Sequence, residues 1–186
     1  MSEKMTADPA RNDELILVDG LDRKIGTATK EKTHREGLLH RAFSVVLVRD
    51  GAAGPELLLA QRAECKYHSA GLWANSCCSH PRKDEELPDA VRRRVAEELG
   101  CGIDDLKEVT AFVYRAEFAD GICEYEYDHV LIGRCAGELS PDPVEVGGVR
   151  WIGFEDLAAE LADNPRSFAP WAYTVLTIAM NELRGE

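Results

Sequence analysis

Apolar positions along this chain come in short runs separated by glycine, proline and charge, and the length and period of each run predicts an element. Leu15-Ile16-Leu17-Val18, closed by Asp19-Gly20, predicts a strand and turn, with Lys24-Ile25-Gly26-Thr27-Ala28 as its hairpin partner. Phe43 to Val48 and Glu56 to Arg62 predict two more strands, and Gly148 to Ile152 a short one. Val109 to Phe118 and Cys123 to Arg134 predict a hairpin about Ala119-Asp120-Gly121. Helical period runs from Pro88 to Leu99 and puts Val91, Val95 and Leu99 on one side. Pro88 suits the first turn, Asp89 complements the dipole, and Gly100 is the stop. Glu155 to Ala162 predicts a small helix ended by Asn164-Pro165, and Ser167 is expected to cap a last helix from Pro170 to Leu183, with Trp171 in its first turn. Strands and helices alternate irregularly with antiparallel hairpins. The expected fold class is therefore α+β, an α/β/α sandwich with mixed, largely antiparallel sheets, not a doubly wound parallel sheet.

Composition narrows the setting. The 186 residues suit one domain, expected over residues 12–186 after a polar, flexible tail at residues 1–11. Hydrophobic content of 45% with 30% charged residues is that of a soluble globular protein. No apolar run approaches the roughly 20 residues that span a bilayer, so no membrane partner and a cytoplasmic location are expected. In that compartment the six cysteines should stay reduced. A net charge of −12 argues against nucleic acid as partner, since a long polyanion would be repelled. A small phosphate ester needs only a local cluster of Arg and Lys. The oligomeric state is not legible; a monomer is expected.

Candidate chemistry gathers at Asn75-Ser76-Cys77-Cys78-Ser79-His80-Pro81, where two thiols and an imidazole fall within seven residues. Alone, that stretch is equally a loop with buried thiols and a polar cap. His34 and His40 bracket Gly37; six residues apart, they do not share a helix face, but they can converge from a loop. Glu124, Glu126 and Asp128 share one face of their strand by the period of two. Burying such carboxylates without a cation is costly, so either that face is wet or a metal sits there. On the helix, Arg94, Glu97 and Glu98 are neighbours, and Glu98 borders the core side.

Ser79 to Cys101 aligns without a gap on the Nudix box, with fits at Glu85, Arg93, Val95, Glu97, Glu98 and Gly100. Ser79 stands where the box has a glycine, and Arg94 where it has a glutamate. A cation there should weaken a glutamate cluster that holds divalent ions, and it can grip phosphate oxygens instead. The chain resembles the type I isopentenyl-diphosphate isomerases of this superfamily. The stretches that carry the resemblance are Asn75 to Pro81, Leu39 to Ser44, Arg93-Arg94 with Glu97 to Gly100, Tyr114-Arg115-Ala116, Glu124-x-Glu126 and Pro170-Trp171.

The resemblance implies interconversion of isopentenyl and dimethylallyl diphosphate through a tertiary carbocation, in isoprenoid biosynthesis. It implies Cys78 and Glu126 as proton-transfer groups, a hydrogen bond from Tyr114 near Glu126, and Trp171 as the π face for the cation. It implies Mn²⁺ or Zn²⁺ at His34, His40, His80, Glu124 and Glu126. Mg²⁺ is implied at Glu98, with Lys30, Arg62, Lys66 and Arg94 around a prenyl diphosphate. His68 and His129 match no ligand position and are expected to be structural or surface residues. Two other classes are a hydrolase acting on a nucleoside or prenyl diphosphate, which would release phosphate, and a non-catalytic metal-binding module.

Overall fold

The strand over His40–Gly51 carries a nearly unbroken apolar run, and both of its faces are covered. A computed structural model describes residues 13–66, 68–118 and 121–185, so the expected tail at residues 1–11 lies outside the described residues. In chain order the strands are β1 (Glu14–Val18), β2 (Lys24–Thr29), β3 (His40–Gly51), β4 (Gly54–Arg62), β5 (Trp73–Ala74), β6 (Cys77–Ser79), β7 (Gly102–Glu117), β8 (Cys123–Ala136) and β9 (Val146–Gly153). The helices are α1 (Lys30–Glu36), α2 (Leu87–Leu99), α3 (Phe154–Asp163) and α4 (Ala172–Arg184).

All nine strands join one mixed sheet about β3. On one edge β3 meets β1, β6 and β4 in turn, each antiparallel. On the other it runs parallel to β8, from His40 opposite Glu126 to Val48 opposite Arg134. The expected hairpins form, β1 with β2 and β7 with β8, the latter about a turn whose Ala119 and Asp120 lie outside the described residues.

The period of two sends alternate residues to opposite layers. Val46 and Val48 of β3, Leu57 and Leu59 of β4, and Val130 and Ile132 of β8 pack against Leu157 and Leu161 of α3 and Val175, Leu176 and Ala179 of α4. Phe43, Val45, Leu47 and Leu58 face the other way, onto Val91, Val95 and Leu99 of α2. The expected α/β/α sandwich is thus present, with one core on each side of the sheet. Truncating a fully buried side chain such as Leu99 should cost about 2–5 kcal/mol.

Helix α2 begins and stops as its sequence predicts. Gly100 ends it with φ 67, where a Cβ would lie 2.5 Å from the Ser140 carbonyl oxygen. Three expectations are corrected. His34 comes from a helix, not a loop: the Thr29 hydroxyl accepts from the Lys32 amide, and Gly37 stops α1 in the left-handed region with φ 61. Ser167 lies in a 3-10 turn and donates to the Asn164 carbonyl, so it does not cap the last helix. That helix starts at Ala172, with Trp171 just outside it as the residue before its first turn, and the segment leading in is tied to β5 by the Ala169 amide on the Trp73 carbonyl at 2.8 Å. Among the described residues no helix is long and apolar enough to cross a membrane.

Candidate active site

The face that carries Val46 and Val130 continues toward the start of β3 and β8 as Ser44 and His40, and as Asp128, Glu126 and Glu124. The apolar layer thus turns polar while staying buried: Glu124 is 3% exposed, Asp128 1% and His40 0%. Glu124 and Asp128 are thus withdrawn from solvent, while Glu126, with its side chain 15% exposed, borders the pocket.

His34, His40, His80, Glu124 and Glu126 each place one donor atom within 4.8 Å of the others. The three imidazoles stand with centroids 4.8 to 5.4 Å apart. Nδ1 of His34 bonds the Lys30 carbonyl at 2.7 Å, and Nδ1 of His40 bonds the Leu38 carbonyl at 2.9 Å. A carbonyl only accepts, so each Nδ1 carries a proton and each Nε2 faces the cluster, where its lone pair is available to a cation whenever that nitrogen carries no proton. Nε2 of His40 and Oε2 of Glu124 are buried without a hydrogen bond. One bond inside the cluster, from His80 Nε2 to Glu126 Oε1 at 2.9 Å, is already closed by a proton; the other buried nitrogens and oxygens converge without enough protons to pair them all, which fits a divalent cation.

The protonation pattern of the protein without metal follows from the same crowding. Burial, and then the neighbouring His34, pushes His40 down to about 4. Burial works against an ionised Glu124, yet His34 at 3.0 Å and His68 at 2.8 Å hold it well below the usual carboxylate range. Burial pushes Glu126 the other way, well up, helped by the charges of Glu124 and Asp128. Two adjacent carboxylates thus divide into one ionised and one protonated.

Cys77 and Cys78 point to opposite faces of β6. Cys77 is 2% exposed and joins the α2 core, whereas Cys78 opens into a pocket beside the carboxylates. Its sulfur receives the Trp171 indole N–H at 3.1 Å, lies 3.4 Å from Ser44 Oγ, and faces Asn75 Oδ1 at 3.1 Å. Ser44 donates to Asp128 at 2.8 Å. Burial and the Asp128 carboxylate push the Cys78 thiol up to about 12, so it holds its proton at neutral pH.

The same pocket is lined by Lys30, Arg62, Lys66, His68, Arg94, Glu98 and Trp171. Glu98 is turned inward, with its side chain 11% exposed against 42% for Glu97, as expected from the helix face. Arg94 bonds both, and Lys66 bonds Glu145, which also lies 3.5 Å from Arg94. Arg62 donates to the His68 carbonyl at 3.1 to 3.3 Å and sits 5.3 Å over the Trp171 ring. Glu98 is a single buried carboxylate on the pocket wall, which suits Mg²⁺ when water and phosphate supply the remaining ligands.

One expectation changes. Tyr114 lies directly across from Glu126 in the β7–β8 register, but its buried hydroxyl has no hydrogen-bond partner among the described residues. Of the two places expected for His68 and His129, structural or surface, the structure gives the first: both are buried, at 8% exposure each; His129 meets Asp22 and Glu108, and His68 meets Glu124. Four polar neighbours of the site were not singled out as site residues: Ser44, His68, Asp128 and Glu145. Asp128 shared the strand face of the other two carboxylates, which was the available signal. Glu145 sits in a polar loop and carried none.

Residues 38–172, more than half of the chain, match the family model of the NUDIX domain. The chain is 50% identical over 162 residues to an isopentenyl-diphosphate Delta-isomerase of Burkholderia multivorans, covering 87% of this chain and 90% of that one. It is 45% identical over 177 residues to a protein of the same description from Photobacterium profundum, covering 94% and 98%. A crystal structure from Deinococcus radiodurans shares the fold, with a TM-score of 0.67 at 18% identity, over 90% of this chain and 98% of that one.

Proposed function

We propose that this chain, which belongs to the NUDIX family and within it to the isopentenyl-diphosphate Delta-isomerases, performs that isomerisation with Cys78 and Glu126 as its two proton-transfer groups. Isopentenyl and dimethylallyl diphosphate differ only in the position of a double bond. One end of the alkene gains a proton and a carbon on the other side of the cationic centre loses one, so the protein needs two proton-transfer groups and a surface that tolerates a tertiary carbocation. No bond to phosphorus breaks. The diphosphate must therefore be gripped without being activated for attack.

One observation carries this reading: a single pocket holds the protonated Cys78 thiol and the Glu126 carboxyl, while Arg94 occupies the helix carboxylates Glu97 and Glu98. Arg94 replaces the glutamate that a hydrolysing member would use for metal, which favours holding phosphate over cleaving it. Lys30, Arg62, Lys66 and Arg94 form the clamp for the diphosphate oxygens. When bound, Mn²⁺ or Zn²⁺ among His34, His40, His80, Glu124 and Glu126 supplies fixed charge that lowers the proton affinity of Glu126, and Mg²⁺ at Glu98 offsets the charge of the diphosphate.

Trp171 serves twice. Its N–H bonds the Cys78 sulfur whether or not the thiol has given up its proton, and its ring face accepts positive charge without forming a bond. The Arg62 guanidinium stands 5.3 Å from the centre of that ring, which ties the aromatic wall to the diphosphate clamp. Asn75 accepts from the Cys78 thiol, and Ser44, whose own hydroxyl is committed to Asp128, lies beside it.

Incubation with isopentenyl diphosphate in D₂O, with Mg²⁺ and Mn²⁺ or Zn²⁺ supplied, tests the reading by NMR. Deuterium in dimethylallyl diphosphate with the diphosphate intact is the expected result. Phosphate release without deuterium uptake would place the chain among the hydrolases instead.

A further inference from the structure

His68 lies on the segment between β4 and β5, yet its ring reaches Glu124 on β8. Nε2 of His68 stands 2.8 Å from Oε1 of Glu124, and the two side chains are 5% and 4% exposed. Oε2 of the same carboxylate faces His34 Nε2 at 3.0 Å, inside the cluster of converging acceptors. The two oxygens therefore have different partners. Because an ionised carboxylate only accepts, His68 must donate from Nε2, which leaves Nδ1 to accept from the Ser69 hydroxyl at 3.3 Å.

The ring is fixed on several sides. It stacks on Phe118 with centroids 4.5 Å apart and meets Trp171 edge-on at 5.8 Å. Its own carbonyl is held by two nitrogens of Arg62. A donor this constrained sets the rotation of the carboxylate it bonds, and a liganding oxygen needs such a partner to stay aimed.

We propose that His68 is a positioning residue of the metal centre: by occupying Oε1 of Glu124 it aims Oε2 alone at a divalent cation, making Glu124 a one-oxygen ligand. This rests on the reading of His34, His40, His80, Glu124 and Glu126 as ligands. His68 itself is not among the converging donors, so it acts through Glu124 and not as a fourth imidazole. The contact with Trp171 ties the same ring to the wall on which the carbocation is to rest.

Titration of Mn²⁺ and Zn²⁺ against a competing chelator, on the full chain, separates the possibilities. Wild type should bind one ion in the cluster. His68→Ala should bind it about tenfold or more weakly. His68→Gln, which keeps a donor, should recover most of the affinity. Both variants should unfold, metal-free, within a few degrees of wild type, and if His68→Ala fails to fold, His68→Leu, which fills the space without a donor, takes its place beside His68→Gln, whose amide keeps one. Affinity within twofold of wild type in His68→Ala would overturn the proposal while leaving the metal site standing, and equal weakening in both variants would overturn it by assigning the effect to packing. Absence of binding by wild type would remove the metal site and this inference together.

Discussion

The indole nitrogen of Trp171 donates to the sulfur of Cys78 at 3.1 Å, across 93 residues of chain. One bond thus fixes the thiol and orients the aromatic wall beside it. Trp171→Phe keeps a ring and loses the donor. It should lower kcat by about tenfold, the scale of one hydrogen bond to a reacting group, with KM for isopentenyl diphosphate changed less than threefold. Steady-state kinetics checks this, and an equal rise in KM would show that the ring was holding substrate instead.

Cys78 and Cys77 should differ sharply toward alkylation. With Cys78 pushed up to about 12 and Cys77 pushed well up by complete burial, neither is a thiolate at neutral pH in the metal-free protein. Iodoacetamide labelling of Cys78, followed by mass spectrometry, should be slow at pH 8 and accelerate as pH rises toward 11. Cys77 should stay unlabelled until the protein unfolds. Rapid labelling of Cys78 at pH 7 would contradict its buried, carboxylate-flanked setting.

Acid should destabilise the metal-free protein. His40 titrates at about 4 when folded against 6.5 when unfolded, so the unfolded chain binds the extra proton first. The stability that this group contributes is full above about pH 6.5, is lost as pH falls toward 4, and does not fall further below it. That loss is on the order of 3 kcal/mol, and His80, depressed by the same burial and by its imidazole neighbours, adds in the same direction. Urea denaturation between pH 4 and 7 measures the slope, which His40→Gln should flatten.

Arg94→Glu returns the glutamate of the Nudix box. Beside Glu97, Glu98 and Glu145 it replaces the guanidinium that now bonds or approaches all three with a fourth carboxylate. KM for isopentenyl diphosphate should rise at least tenfold and Mg²⁺ affinity should increase, both readable by kinetics and titration calorimetry. A KM unchanged from wild type would remove Arg94 from the clamp.

Much of this was legible because the signals were local. Helix α2 announced itself through Pro88, Asp89 and Gly100, and the inward turn of Glu98 followed from its place on the helix face. The carboxylate face of β8 followed from strand period, though its burial did not, since that depends on α1 and α4, which reach β8 from distant parts of the chain. His34 was misplaced onto a loop because a seven-residue helix shows too little periodicity; its Thr29 cap and Gly37 stop were the readable marks. His68 was beyond local reading. Its contact with Glu124 spans 56 residues and requires the β4–β5 segment to fold back across the sheet edge. The resemblance implied a hydrogen bond from Tyr114 near Glu126; the register does set the two opposite, but strand pairing does not aim a hydroxyl, and this one has no hydrogen-bond partner among the described residues.

Among the named strands, β3 and β8 form the one parallel pair, and it sets His40 directly beside Glu126. If these strands docked one residue out of step, Glu124 and Glu126 would turn to the opposite layer, among the side chains that pack on α2. If the cluster holds a cation as proposed, ligands drawn from both strands would act as a checkpoint during assembly: a misaligned chain would have no cluster to close. Parallel pairing is slow because its contacts are distant in sequence. A supply of Mn²⁺ or Zn²⁺ during refolding should for that reason raise the yield of native protein.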